Sequence, residues 1–276
     1  MPKYRKGVET PGLIGGEIAR ASFTRQSSVL LRRTLALWRG DIMALVAMFS
    51  QSLLVTILLC LVFGQLSDVD VSIPMARQSK IQSLLFLIGV SCFWLGCNNC
   101  VKEIVKERAT FQRERDFNLI PESYLFSKLI FFALIGFLQA TFLGVVTLWW
   151  FGMPGDRMSM LLVFLGLSFA GTTLGLAISS WSKSEEVAVA AVPIAIIPQI
   201  ILTGVVASLS TLPEWISKLA ISVFWGQKAV EQALPEVDRM AASFQPSFAL
   251  GITLVVAHGI AFLVTAIFGV RYRRAG

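Results

Sequence analysis

The sequence predicts an all-α integral membrane protein with six transmembrane helices, and three observations support this fold class. Of the 276 residues, 55% are hydrophobic and only 15% are charged, whereas a soluble domain usually has about 25% charged residues. Six runs lack Asp, Glu, Lys and Arg for the roughly 20 residues that a helix needs to cross a bilayer core. The basic residues are also concentrated in alternate connections. Together these features argue against a soluble domain.

The chain begins with an irregular arm, residues 1–16, which contains two prolines and three closely spaced glycines. Residues 17–40 follow as a predicted amphipathic helix on the membrane surface. Its apolar positions are Ile18, Phe23, Val29, Leu30, Leu37 and Trp38, and arginines such as Arg20, Arg25, Arg32, Arg33 and Arg39 fill the other positions. No uninterrupted apolar segment with a cleavage site precedes the first span, so a cleaved signal is not predicted. A solvated linker with stray apolar residues is the alternative.

Each charge-poor run predicts one span of a membrane domain that covers residues 41–276. The runs are Ile42–Ser67, Ile81–Val101, Leu129–Gly155, Met158–Ser182, Val187–Pro213 and Met240–Val270. We place the spans at 42–64, 81–101, 127–151, 159–181, 187–207 and 247–270.

The basic residues predict the orientation of these spans. With the N-terminus in the cytoplasm, six of the 24 basic residues lie outside and the other eighteen inside, which is the bias expected of a membrane protein. We therefore expect a multi-pass protein of the plasma (inner) membrane with both termini in the cytoplasm. The net charge of +7 then belongs to loops beside anionic lipid headgroups, and no nucleic-acid partner is expected.

The cytoplasmic connection between spans two and three, residues 102–126, is long and densely charged. We predict that span two continues below the membrane through Val101–Arg115, with Glu103 and Lys106 paired at i, i+3. A turn near Asn118–Pro121 follows, and Pro121 or Ser123 starts span three. A solvated helical hairpin with self-compensating charges is the alternative interpretation.

The outer segment 208–246 contains Thr211–Glu214, "TLPE", which predicts a capping box and a helix running to about Leu234. Its apolar side chains favour a re-entrant helix in the outer leaflet over a soluble extracellular helix.

Several residues inside the spans have two interpretations. Pro193 and Pro198 either curve span five or let it flex beside a transport route. His258 can be a packed, hydrogen-bonded histidine or a functional group. Cys97 and Cys100 form a C-x-x-C pair, but the small-xxx-small spacing of Cys92, Gly96 and Cys100 favours helix packing, as does that of Gly171, Gly175 and Ser179. No metal site and no catalytic constellation is predicted, and an intramembrane enzyme is the weakest alternative.

Three stretches resemble the membrane domain of type-2 ATP-binding-cassette permeases, especially the G-subfamily-like half-transporters. The first is the cytoplasmic loop "VKERATFQRERDFNLIPESYLFSKLI", with Glu-Arg pairs, an aromatic residue and a Ser-Tyr pair before span three. The second is "LTGVVASLSTLPEWISKLAISVFWGQKAVEQAL" after span five. The third is "RQSSVLLRRTLALWRGD" before span one, which is similar to the family's connecting helix.

The resemblance implies a homodimer in which each six-span unit rests on a cytoplasmic nucleotide-binding domain. It implies a coupling helix with Glu107, Arg108, Phe111, Glu114 and Arg115, and a connecting helix with Arg25, Arg32, Arg33 and Trp38. It also implies an outer gate with Thr211, Pro213 and Trp215. A translocation cavity at the dimer axis would involve Phe86, Phe93, Trp94, Pro193, Pro198 and Gln199. The expected activity is export of a lipid-like or amphipathic substrate.

The chain departs from a complete ATP-driven transporter in one respect. It contains no G-x-x-x-x-G-K-[ST] phosphate loop, so we expect no ATPase activity and no cofactor on this chain. ATP and Mg²⁺ would bind a partner ATPase domain, either a separate polypeptide or part of a fused parent. An ATP-independent channel or secondary carrier and a non-transporting membrane scaffold are the alternative functions.

Overall fold

The computed structural model describes residues 21–64, 74–206, 209–240 and 244–272, and every regular element within these ranges is helical. The arm 1–16, Ile18 and Arg20 lie outside the described residues. The helices are α1 (Phe23–Gly40), α2 (Ile42–Phe63), α3 (Pro74–Cys100), α4 (Arg108–Asp116), α5 (Pro121–Trp150), α6 (Arg157–Trp181), α7 (Glu185–Ile201), α8 (Thr211–Ala220), α9 (Ser222–Gln232) and α10 (Phe248–Tyr272). A 3-10 turn, Glu236–Asp238, precedes α10.

Five of the described helices are long and apolar enough to cross a membrane, by length and composition: α2, α3, α5, α6 and α10. They correspond to predicted spans one, two, three, four and six, and they confirm the all-α membrane class. Helix α7 corresponds to predicted span five but has 17 residues. It contains both Pro193 and Pro198.

Helices α3 and α6 form the centre of the bundle because small residues let their backbones approach closely. A Cβ atom at Gly171 of α6 would collide with the carbonyl oxygen of Phe93 on α3, and a Cβ atom at Gly175 would collide with that of Cys97. In return, a Cβ atom at Gly96 would collide with the carbonyl oxygen of Ser168. The predicted packing role of the small-residue spacing is thus confirmed.

The predicted continuation of span two as one helix through Val101–Arg115 is wrong. Helix α3 ends at Cys100, residues 101–107 form successive turns, and α4 begins at Arg108. The hydroxyl of Ser179, near the end of α6, accepts hydrogen bonds from the backbone N–H groups of Ile104 (2.9 Å) and Val105 (3.1 Å). These bonds replace helical partners, so the helix breaks where it meets α6.

The predicted turn and helix start after α4 are confirmed. Asn118 has a positive φ of 72°, in the left-handed region that asparagine tolerates. Pro121 then takes the first position of α5, where its missing N–H costs no helical hydrogen bond.

The outer segment differs from the prediction in two respects. A helix does begin at Thr211, but its N-cap is Ser210 and no side chain caps it, so the predicted capping box is wrong. The expected single helix to Leu234 is also wrong, because the chain breaks at Ile221 between α8 and α9. The side-chain oxygen of Gln199 accepts a hydrogen bond from the N–H of Val223 at 3.0 Å and so binds the first turn of α9.

His258 ties this outer segment to α10. Its Nε2 atom lies 3.1 Å from the carbonyl oxygen of Leu219 in α8. The sequence interpretation of His258 as a packed, hydrogen-bonded residue agrees with this contact.

Candidate functional site

A charged cluster lies at the end of the bundle where α1, the turns 101–107, α4 and the start of α5 meet. We define it by seven side chains that contact one another: Arg33, Glu103, Lys106, Glu107, Glu114, Tyr124 and Lys128. Four separate chain segments contribute to it, so it can transmit a force between them.

Lys128 is the central cation of the charged cluster. Its side chain is only 2% exposed, and its Nζ atom lies 2.7 Å from Glu107 and 3.5 Å from Glu103. The hydroxyl of Tyr124 donates a hydrogen bond of 3.1 Å to the other oxygen of Glu107. Buried ions are tolerated when they are paired and hydrogen-bonded in this way.

Helix α1 is bound to the charged cluster by ion pairs and by aromatic packing. Arg33 pairs with Glu114 and lies 4.0 Å from Glu107. Trp38 packs against Phe131 and Phe132 of α5, with ring centroids 5.6 and 5.8 Å apart. The predicted pair of Glu103 and Lys106 is confirmed, and the Lys106 ammonium lies 5.4 Å from the Trp38 ring centroid, a cation–π contact.

Gln26 fastens the other end of α1 to the turn between α4 and α5. Its side-chain oxygen accepts hydrogen bonds from the N–H of Ile120 (2.8 Å) and the hydroxyl of Ser123 (3.2 Å). Its side-chain nitrogen donates to the carbonyl of Asn118 at 3.2 Å. Helices α1 and α4 therefore belong to one rigid unit with the start of α5.

Two arginines connect this unit to α6 and α10. Arg108 donates hydrogen bonds to the carbonyls of Ser179 (3.4 Å) and Ser180 (3.1 Å) at the end of α6, where the helix dipole favours a cation. Arg115 donates to the carbonyl of Arg271 at the end of α10 at 3.2 Å. A displacement of α4 would therefore reach α5, α6 and α10.

The five predicted coupling residues, Glu107, Arg108, Phe111, Glu114 and Arg115, all lie in or beside this network. Phe111 is buried and packs against Tyr124, with ring centroids 4.7 Å apart. Of the predicted connecting-helix residues, Arg33 and Trp38 take part, while Arg25 and Arg32 are exposed on α1.

Sequence reasoning missed three residues of this region as site residues: Gln26, Phe117 and Lys128. Phe117 is 87% exposed at the end of α4, an unusual position for a large apolar side chain in a charged segment. Lys128 could have been identified from the sequence, because it lies within predicted span three and an ionisable residue in a span is a candidate functional residue. No local pattern pointed to Gln26.

A cleft of about 750 Å³ opens between α1 and α4, beside the charged cluster. It is lined on the α1 side by Gln26, Leu30 and Arg33, and on the α4 side by residues that include Arg113 and Phe117. This cleft is open to solvent and has both charged and apolar walls.

Within the part of the chain that the structure describes, the predicted translocation residues occupy separate positions. Phe86 and Phe93 are buried in the core and Trp94 is half-buried, all three on α3. Pro193 and Pro198 are exposed on α7, whereas Gln199 is buried against α9. Of the predicted outer-gate residues, Thr211 and Trp215 are exposed and Pro213 is half-buried, all on α8.

Comparison of the sequence with known proteins gives a family match and a similar transporter. The family model described as ABC-2 type transporter matches residues 25–234, a range that contains the whole charged cluster. The chain is also similar to the ABC transporter ATP-binding/permease protein Rv1747 of Mycobacterium tuberculosis, with 26% identity over 208 residues. That alignment covers 71% of this chain and 24% of the relative, so the chain spans about a quarter of the relative's length. Because the family match covers most of its length, this chain belongs to the ABC-2 type transporters, as a membrane permease component.

Proposed function

We propose that this chain is the permease of an ATP-binding-cassette exporter, driven by ATP that a partner nucleotide-binding domain hydrolyses. The observation that carries the proposal is the charged cluster, which joins α1 and α4 into one unit and connects that unit to α5, α6 and α10. A soluble domain that moves this unit would displace several spans together. ATP and Mg²⁺ would bind the partner, since this sequence has no phosphate loop.

The docking surface for the partner would be the exposed side of the unit. Arg113, Asp116 and Phe117 are exposed at the end of α4, and Arg25 and Arg32 are exposed on the neighbouring α1. A large apolar side chain surrounded by charges is typical of an interface centre with a polar rim. The predicted coupling residues would act behind this surface and transmit the movement inward.

In the proposed topology α7 is the fifth of six spans, and both termini lie in the cytoplasm. Its first residue, Glu185, lines the same cavity as Glu103, and Gln199 near its end contacts α9. Seventeen residues span about 25 Å at 1.5 Å per residue, close to the thickness of roughly 30 Å of a bilayer core. Residues 202–206 would complete the crossing, and the basic residues support the orientation in the plasma (inner) membrane.

Helices α8 and α9 would form a re-entrant outer element. Leu212, Trp215 and Leu219 of α8 are highly exposed and apolar, which suits insertion in the outer leaflet. Helix α9 is buried along most of its length. The pair would narrow the outer exit, with Thr211, Pro213 and Trp215 at the gate.

A second copy of the chain and an amphipathic substrate complete the proposal. The residues on the exposed faces of α2 and α7 are mostly apolar, such as Met43, Leu61 and Ile194, except for Ser50 and the acidic first turn of α7. In a homodimer one such face would contact the partner copy and the other would contact lipid. A lipid-like or amphipathic substrate fits a route bounded by these faces.

Co-purification from cells with the full chain in mild detergent tests the proposal. We expect an ATP-binding-cassette ATPase to be identified by mass spectrometry, and its ATP turnover to depend on the permease in proteoliposomes. The double variant Arg113→Glu, Phe117→Ala should weaken the complex at least tenfold, about 1.4 kcal/mol, while Val237→Ala, exposed at the opposite end, should not. Intact assembly and normal coupled turnover with Glu107→Lys, Arg108→Glu and Glu114→Lys would contradict the proposal.

A further inference from the structure

A second cavity, here called the inner cavity, lies on the other side of the charged cluster. Its volume is about 650 Å³, and it is lined by residues of α1, α2, α3, the turns 101–107, the start of α5 and the beginning of α7. Ala44 and Ala47 of α2 form part of the wall, and their small side chains leave it wide. Three side-chain amides, those of Gln51, Asn98 and Asn99, line it at the level of the spans.

The amides of the inner cavity are incompletely hydrogen-bonded. Asn98 donates to the side-chain oxygen of Gln51 at 3.1 Å. This bond leaves the Asn98 oxygen and the Gln51 nitrogen without a protein partner among the described residues. Polar groups at membrane depth are costly when they remain unpaired, so one free acceptor and one free donor side by side favour a polar ligand.

Asn99 adds a second, more deeply buried amide. Its nitrogen donates to Gln139 at 2.5 Å, and Gln139 in turn donates to the carbonyl of Met48 at 2.7 Å. Asn99 is 7% exposed. Its side-chain oxygen is buried and has no hydrogen-bond partner among the described residues. Nearly all buried polar atoms in proteins are hydrogen-bonded, and Asn99 lines the same cavity as Gln51 and Asn98.

The charges around the inner cavity argue against an ionic ligand. Lys128 and Lys106 are already paired with Glu107 and Glu103. The other charged residues of the lining, Asp41, Lys102 and Glu185, are exposed. Among the described residues of the lining, the buried ions are all paired with one another, whereas hydroxyl or amide groups would find both a donor and an acceptor.

An apolar surface continues from the inner cavity along α7. Val189 lines the cavity, and Pro193, Ile197 and Ile201 follow at intervals of four residues, each beside the one before on the helix surface. All four residues are exposed. The twelve-residue rise corresponds to about 18 Å, comparable to the roughly 15 Å of one leaflet of the hydrocarbon core.

We propose that the inner cavity binds an uncharged headgroup bearing hydroxyl or amide groups, and that the apolar tail of the same molecule lies along α7. The ligand would come from the leaflet next to the charged cluster. This inference rests on the proposed transport function and specifies its substrate class.

A lipid-binding experiment with the full chain in phosphatidylcholine nanodiscs tests the inference. The probes are a photoactivatable glucosyl diacylglycerol and photoactivatable phosphatidic acid with the same acyl chains. The glucosyl probe should label peptides of α2, α3 and α7. Gln51→Leu and Asn98→Leu should each weaken its binding about threefold to tenfold, the range expected for one hydrogen bond. Gln78→Leu, an amide replacement at the opposite end of α3, is the matched control.

Equal or stronger binding of phosphatidic acid would overturn the inference, as would unchanged glucosyl binding in both cavity variants. Thermal unfolding of each variant in the same nanodiscs verifies that the chain remains folded. The assay contains no ATPase, so its outcome is separate from that of the proposed function. A chain that assembles with a coupled ATPase but does not prefer the glucosyl probe would refute only the headgroup assignment.

Discussion

At the scale of single residues, Lys128 illustrates how a buried charge depends on its partners. Its ammonium lies between Glu107 and Glu103 at 2% exposure. Lys128→Ala would leave two carboxylates without their shared cation, and the loss of one partner of a buried pair costs about 3–5 kcal/mol. We expect a clearly lower unfolding temperature in detergent, measured by intrinsic fluorescence.

A control variant and a double variant complete the test of the Lys128 ion pair. Lys102→Ala removes an exposed lysine of the turns 101–107 and should change the unfolding temperature little. The double variant Lys128→Met, Glu107→Gln removes the pair together and should recover part of the loss. An unfolding temperature of Lys128→Ala equal to that of the wild type would show that the ion pair contributes no stability.

Asp156 gives the residue-scale prediction for pH. It is the N-cap of α6, in the connection after α5, and accepts hydrogen bonds from the Ser159 hydroxyl (2.5 Å) and the Met158 N–H (3.1 Å). These bonds, the Ser159 hydroxyl first, lower the pKa of the Asp156 carboxyl below its ordinary value. Its contribution to stability is therefore complete above the unfolded pKa of about 4 and is lost as pH falls through the folded pKa.

The variant Asp156→Asn keeps a capping side chain but cannot titrate. Between about pH 5 and pH 3, the difference in unfolding temperature between wild type and Asp156→Asn should shrink. A difference that stays constant over this range would show that the cap does not depend on the ionised carboxylate. A parallel variant, Glu236→Gln in the 3-10 turn, controls for general effects of removing one acid.

At the scale of helices, the link between α3 and α4 depends on Ser179. Its hydroxyl accepts from the N–H groups of Ile104 and Val105. Ser179→Ala would leave two buried donors without partners, at about 1–3 kcal/mol each. We expect faster hydrogen exchange at residues 104 and 105 and weaker coupling between ATP turnover and transport.

Ser180→Ala is the matched control for this prediction. The Ser180 hydroxyl is also buried, and among the described residues it donates to the carbonyl of Ala177 in its own helix. Exchange at residues 104 and 105 should therefore remain as in the wild type. Equal exchange in both variants would indicate that the turns 101–107 are held by the charged cluster alone.

The same helices show which features the sequence could predict. The five helices that are long and apolar enough to cross a membrane followed from charge-free runs, and Pro121, one of the two predicted starts of span three, followed from the fixed φ of proline. The break after Cys100 could not be predicted, because it involves the hydrogen bond of Ile104 to a serine 75 positions further along the chain. The contacts of Gln199 with α9 and of Lys128 with Glu107 are likewise tertiary, and no local pattern encodes them. These misses thus concern contacts between distant parts of the chain, whereas the capping box at Thr211 was a local pattern that the structure does not form.

At the scale of the whole molecule, the proposed function requires the charged cluster and the 3-10 turn to lie on opposite sides of the membrane. Phe117 is exposed beside the cluster, and Val237 is 75% exposed in the turn. The turn is held to the start of α3 by the ion pair of Arg77 and Asp238 at 2.8 Å. Since the cluster lies beyond the other end of α3, cysteines at Phe117 and Val237 report on the two sides.

Labelling with a membrane-impermeant maleimide in intact cells makes this prediction measurable. In a background with the four native cysteines replaced by Ala or Ser, Val237→Cys should react at once and Phe117→Cys only after permeabilisation. Phe23→Cys at the start of α1 is the matched control for the cytoplasmic side and should behave like Phe117→Cys. Reaction of Phe117→Cys in intact cells would place the charged cluster outside, where ATP is scarce, and would exclude an ATPase as its driving partner.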